Sequence, residues 1–117
     1  MLHLSASCKY YLYLNATDMR KGFDSLCGIV TSELKMDVLN GSIFIFINKK
    51  HNQVKLLLWE GDGFAVYYKR LEKGTFELPV TNHSDKEFSI SHEALQYILQ
   101  GVCLKSVRKR KRYQQIA

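Results

Sequence analysis

Residues 54–70 read VKLLLWEGDGFAVYYKR. Two apolar and aromatic runs, 54–60 and 64–70, flank Gly61-Asp62-Gly63, a tight-turn signal because Asp-Gly supplies positive φ at low cost. The pattern predicts a β-hairpin. A two-residue loop at Asp62-Gly63 would set Trp59 opposite Val66, Leu57 opposite Tyr68 and Lys55 opposite Arg70. Strand alternation then places Lys55, Leu57, Trp59, Phe64, Val66, Tyr68 and Arg70 on one face. Like charges directly opposite destabilise a sheet. The pair Lys55 and Arg70 therefore calls for a carboxylate such as Glu72, Asp18 or Asp24, or for an external phosphate. The register alone leaves both readings open.

Outward from the hairpin, residues 43–47, IFIFI, form a continuous apolar run, which suggests a strand covered on both faces. Residues 48–53, NKKHNQ, read as a polar loop, and residues 8–14, CKYYLYL, as another strand. Asn15, Thr17 and Asp18 offer helix-start chemistry. Met19, Phe23, Leu26, Val30 and Leu34 then recur at spacings of four, three, four and four, one stripe of a helix over about 19–34. Residues 37–42 carry an Asn40-Gly41 turn signal. Residues 75–78 offer a further extension of the sheet, ended or edged by Pro79. Residues 81–86 read as a loop and 87–90 as a short strand. Ser91 caps a second helix, HEALQYILQ, with Glu93 in its first turn, Gly101 as its stop, and Leu95, Ile98, Leu99 and Val102 on its apolar side. The expected architecture is an α+β single domain over 1–104, an antiparallel β-meander with one helix before it and one after, covering two sheet faces.

The composition supports a folded chain. Of 117 residues, 46% are apolar and 24% charged, and there is one Pro, which sets aside disordered and low-complexity classes. No apolar run is long enough to span a membrane, and the first residues lack the form of a secretory signal. Cys8, Cys27 and Cys103 are odd in number and unclustered, which reads as reduced, buried thiols in a cytoplasmic protein. His3, His51, His83 and His92 lie far apart, so no metal site is expected. Neither a nucleophile motif nor a phosphate-cradling glycine loop is present, and no cofactor, small-molecule substrate or catalytic residue is assigned. Asp18, Asp24, Glu60 and Asp62 are the carboxylates a metal-dependent nuclease could use. Asp18 and Asp62 have sufficient structural work in a cap and a turn.

The charge is unevenly placed. Seventeen Lys and Arg against eleven Asp and Glu give +6. Residues 1–104 hold eleven of each sign, so the whole excess lies in residues 105–117. That segment, KSVRKRKRYQQIA, contains Lys105 and five successive cations, Arg108, Lys109, Arg110, Lys111 and Arg112. Such a run repels itself and reads as a flexible tail. As an electrostatic arm it suits nucleic-acid phosphates, with Tyr113 available for stacking. As a bland tail it would only keep the chain soluble. The candidate nucleic-acid-binding residues are these six together with Lys55, Lys69 and Arg70.

TDMRKGFDSL (17–26), GSIFIFIN (41–48) and KLLLWEGDGFAVYYKRLEKGTFELP (55–79), with the closing AL…LQG of the second helix, resemble the TnpB family. These are the small accessory proteins encoded by the second open reading frame of IS-66 type insertion sequences. The resemblance covers about residues 8–101. The family usually has Asp where Glu60 stands and Pro where Val38 stands, and the basic tail is not part of its core pattern. Its most recognisable polar positions match Asp18, Arg20, Lys21, Asp24, Lys55, Trp59, Asp62, Lys69, Arg70 and Glu72. The resemblance implies a bacterial mobile-element protein acting beside a separate, larger transposase with a DDE-type catalytic domain. It brings no established catalytic residues. The expected function is a non-catalytic accessory factor for DNA transposition that binds the element's DNA ends, the transposase and other element-encoded proteins, or both. A small nuclease and a protein-only assembly factor are the rivals.

Overall fold

The structure is a computed structural model and describes residues 7–78 and 86–100. In chain order the elements are β1 (Tyr10–Tyr13), α1 (Phe23–Ser32), β2 (Ile43–Ile47), β3 (Gln53–Trp59), β4 (Phe64–Arg70), β5 (Glu87–Ile90) and α2 (His92–Gln100). They build one five-stranded sheet in the order β4-β3-β2-β1-β5. β2, β3 and β4 form the expected antiparallel meander. β1 departs from it, pairing parallel with β2 and antiparallel with β5. The sheet is therefore mixed though mostly antiparallel, because α1 carries the chain back before β2 begins.

One helix serves each face. Ile43, Ile45, Ile47, Val54 and Leu56 form a buried cluster with Leu95 and Ile98 of α2. Phe44, Phe46 and Leu57 form a second cluster with Leu26 and Val30 of α1 and with Leu34 beyond its end. This explains why β2 reads IFIFI: all five of its residues are buried, on alternate faces.

Three local expectations are corrected. α1 begins at Phe23, not at 19, and its N-cap is Gly22 without a side-chain bond. The N–H of Thr17 instead donates to the Ile47 carbonyl at 2.9 Å, so the segment before α1 is tied to the end of β2 rather than coiled into a helix. Residues 75–78 form no strand; the Phe76 N–H is held by the His51 carbonyl at 2.7 Å. Cys8 and Cys27 are free and half-buried rather than fully enclosed. Desolvation, with Asp24 nearby, pushes the Cys27 thiol above its ordinary value.

The second helix starts as the sequence indicates, with the Ala94 N–H donating to Ser91 Oγ at 3.0 Å. Pro79, residues 81–85 of the expected 81–86 loop, Gly101, Val102, Cys103, His3, His83 and the basic segment 105–117 lie outside the described residues.

Candidate functional site

The hairpin register differs from the expectation by two residues. Trp59 pairs with Phe64, Leu57 with Val66, Lys55 with Tyr68 and Gln53 with Arg70. The turn is the four-residue loop 60–63, closed by the Glu60 N–H on the Gly63 carbonyl at 2.8 Å. Its left-handed residue is Gly61, at φ +97°, a conformation that favours glycine. A slip of two keeps every side chain on its face, so the face assignment holds while the partners change.

The confrontation of Lys55 with Arg70 therefore does not occur. Lys55 stands over the Tyr68 ring, 4.7 Å from its centroid, and its ammonium donates to the Lys21 carbonyl at 2.9 Å. Arg70 pairs with Glu72 at 3.2 Å, which favours the internal carboxylate over an anion held between Lys55 and Arg70. Both partners are exposed, so the pair adds little stability. Arg70→Ala is expected to move the denaturant midpoint by no more than about 0.5 kcal/mol in stability. A loss above about 1.5 kcal/mol would mean that Arg70 packs in the core. Lys69 belongs to the opposite face, where its ammonium donates to the Leu99 carbonyl near the C-terminal end of α2 at 3.3 Å. The sheet thus separates Lys69 from Lys55 and Arg70.

Most of the remaining motif residues have structural partners. Asp24 lies in the first turn of α1, where a negative charge suits the helix dipole. Trp59 meets Phe64 edge-on, with ring centroids 4.9 Å apart. Asp62 is an exposed member of the hairpin loop. Asp18 is the centre of a clasp. It accepts the Arg20 backbone N–H at 2.9 Å and the guanidinium at 2.7, 3.1 and 3.1 Å. These bonds, the side-chain ones foremost, pull the Asp18 carboxyl down to about 2 from 3.8, and raise Arg20 in turn. A depressed folded-state value means that the clasp's contribution is present above the unfolded value and is lost as pH falls through about 2. A carboxyl NMR titration of Asp18 should show a midpoint near 2, returning toward 3.8 in Arg20→Gln. An unchanged midpoint in that variant would mean that Arg20 is not the cause.

A cleft of about 520 Å³ opens between the β1–α1 loop and the β2–β3 loop, with Thr17, Asp18, Arg20, Lys49, Lys50 and Tyr68 on its walls. Sequence reading missed this site, treating 48–53 as an ordinary polar loop. Asn48 organises that loop: its Oδ1 accepts the N–H groups of Asn52 and Gln53 at 3.0 Å each, and its amide donates to Asn52 Oδ1 at 2.7 Å. The Leu71 N–H, on the Asn52 carbonyl at 2.8 Å, ties the loop to the chain after β4. Gln53 opens β3, and its Oε1 accepts the Tyr68 hydroxyl. Two adjacent lysines inside an Asn-bounded loop were the available signal.

Among the described residues, no three His, Cys, Asp or Glu side chains gather where they could hold a metal ion. Glu60, Asp62 and Asp24 are exposed, and Asp18 is engaged by Arg20. No described helix is long and apolar enough to cross a membrane.

Fold and site together define a small one-sheet α+β protein with a cationic cleft and, among the described residues, no converging catalytic set. The chain belongs to the IS66 Orf2-like family, the TnpB group of insertion-sequence proteins, whose family model matches residues 8–109. The match runs past the expected limit and into the basic segment. Two Sinorhizobium fredii (strain NBRC 101917 / NGR234) proteins are similar to it. The uncharacterized protein y4hO is 31% identical over 102 residues, covering 87% of this chain and 87% of its own length. The uncharacterized protein y4jC is 30% identical over 95 residues, covering 77% and 81%. No solved structure matches.

Proposed function

We propose that this protein is a non-catalytic accessory factor for transposition of a bacterial insertion sequence, binding the element's DNA beside a separate transposase. The single observation that carries the reading is membership of an insertion-sequence family over residues 8–109 in a chain whose excess charge is all cationic. DNA presents a dense row of phosphates, and a cationic strip on a neutral body binds it by releasing counterions. Lys55, Arg70 and the cations of 105–112 are the contact groups in this reading, and Lys69 reaches DNA only from the other side of the sheet. Among the described residues no three such carboxylates gather as a metal site, and in this reading strand chemistry belongs to the partner enzyme.

The test is a gel shift of the full chain on a fragment carrying an element end, at two salt concentrations, with Mg²⁺ or Mn²⁺ added in a parallel lane. A shift that weakens with salt and leaves the DNA intact supports the reading. Cleaved DNA would replace it with the nuclease. A missing shift at low salt, with the transposase still captured, would replace it with a protein-only assembly factor.

A further inference from the structure

We propose that the cleft between the β1–α1 and β2–β3 loops is a phosphate-binding site. Two observations carry this. The first is charge. Arg20, Lys49 and Lys50 line the cleft against one carboxylate, Asp18, which leaves two positive charges in excess. Asp18 is already committed to Arg20, whereas Lys49 and Lys50 are exposed and have no ion-pair partner among the described residues. The second is topology. β1 and β2 are parallel and joined through α1, and both loops of the cleft leave the carboxyl ends of these strands. That is where open sheets with parallel strands place their ligands.

The walls are built before a ligand arrives. Thr17 is pinned to Ile47, the Lys21 carbonyl to Lys55, and the lysine loop to Asn48 and Leu71. The cleft volume lies in the range of small-ligand sites, ~300–1,000 Å³. A phosphate would draw on the Lys49 and Lys50 ammoniums and compete with Asp18 for Arg20, while Tyr68 offers an aromatic surface beside it for a base. The phosphate itself follows from the cleft. Only its source, a DNA backbone as against a free nucleotide, rests on the DNA-binding reading above.

The experiment is an amide NMR titration of the full chain with inorganic phosphate, a deoxynucleoside monophosphate and a short single-stranded oligonucleotide, repeated with Lys49→Gln/Lys50→Gln. All three probes should shift amides at 16–20 and 48–53. The lysine double variant should bind the oligonucleotide at least ~10-fold more weakly at unchanged thermal stability, since bonds to charged groups are the strong ones. Its salt slope should fall by up to ~0.7 for each phosphate that the variant no longer neutralises. Phosphate and mononucleotide shifts without oligonucleotide binding would keep the site and remove the DNA reading. Oligonucleotide binding that leaves 16–20 and 48–53 unshifted, or that the lysine variant retains in full, would overturn the site and keep the DNA reading. No shift with any probe would overturn both.

Discussion

Phe46→Ala is expected to destabilise the fold by about 3–5 kcal/mol, a large effect for a single substitution. Phe46 is fully buried, its ring tilted against Tyr13 at 6.0 Å, in the cluster that joins β2 to Leu26, Val30 and Leu34. Truncation removes the transfer energy of the ring and leaves a cavity that a β-strand wedged between two layers cannot collapse to fill. Domains of this size have only about 5–15 kcal/mol of stability, so a large share disappears. The urea midpoint should drop with the slope unchanged. Phe23→Ala is the control. Phe23 lies on the same predicted helix stripe but is 48% exposed, and its truncation should cost less than about 1 kcal/mol. Equal costs for the two phenylalanines would contradict the packing of α1 on β2.

Removing residues 106–117 should produce the largest change in DNA binding. The deletion takes away Arg108 to Arg112, five cations in succession. Each phosphate neutralised contributes about 0.9 to the slope of log affinity against log salt on duplex DNA. If all five engage phosphates, the slope falls by about 4.5, and between 50 and 200 mM salt the affinity of the intact chain drops roughly 500-fold further than that of the truncated one. The effect should be similar on every DNA sequence, because phosphates carry no sequence information. Melting temperature should change little if the segment adds nothing to the core. Equal salt slopes for the two chains would exclude the tail from DNA. A drop in melting temperature beyond about 5 °C would assign it a packing role instead.

Much of this architecture was legible locally. The continuous apolar run IFIFI suggested a strand covered on both faces, and the structure buries all five of its residues. The hairpin runs fell on β3 and β4 because the apolar and aromatic runs are bounded by glycines. Ser91 marked the start of α2 because its hydroxyl suits the third N–H of the helix. The shared face of Lys55, Trp59, Tyr68 and Arg70 was also readable, since strand alternation survives a slip of two residues. The register itself was not. It depends on which glycine takes positive φ, and Gly61 and Asp62-Gly63 look equally able in one dimension.

The elements, their faces and the concentration of charge beyond residue 104 are thus written in the chain, because each rests on period, turn chemistry or a count. The parallel pairing of β1 with β2, the late start of α1 and the cleft arise in three dimensions alone. Thr17 looked like a helix cap, yet its N–H is claimed by Ile47, thirty residues on in the chain. Arg20 and Lys50 are likewise thirty residues apart, and they line one cleft because two parallel strands end side by side. Such a meeting depends on strand order, which no local pattern of residues encodes.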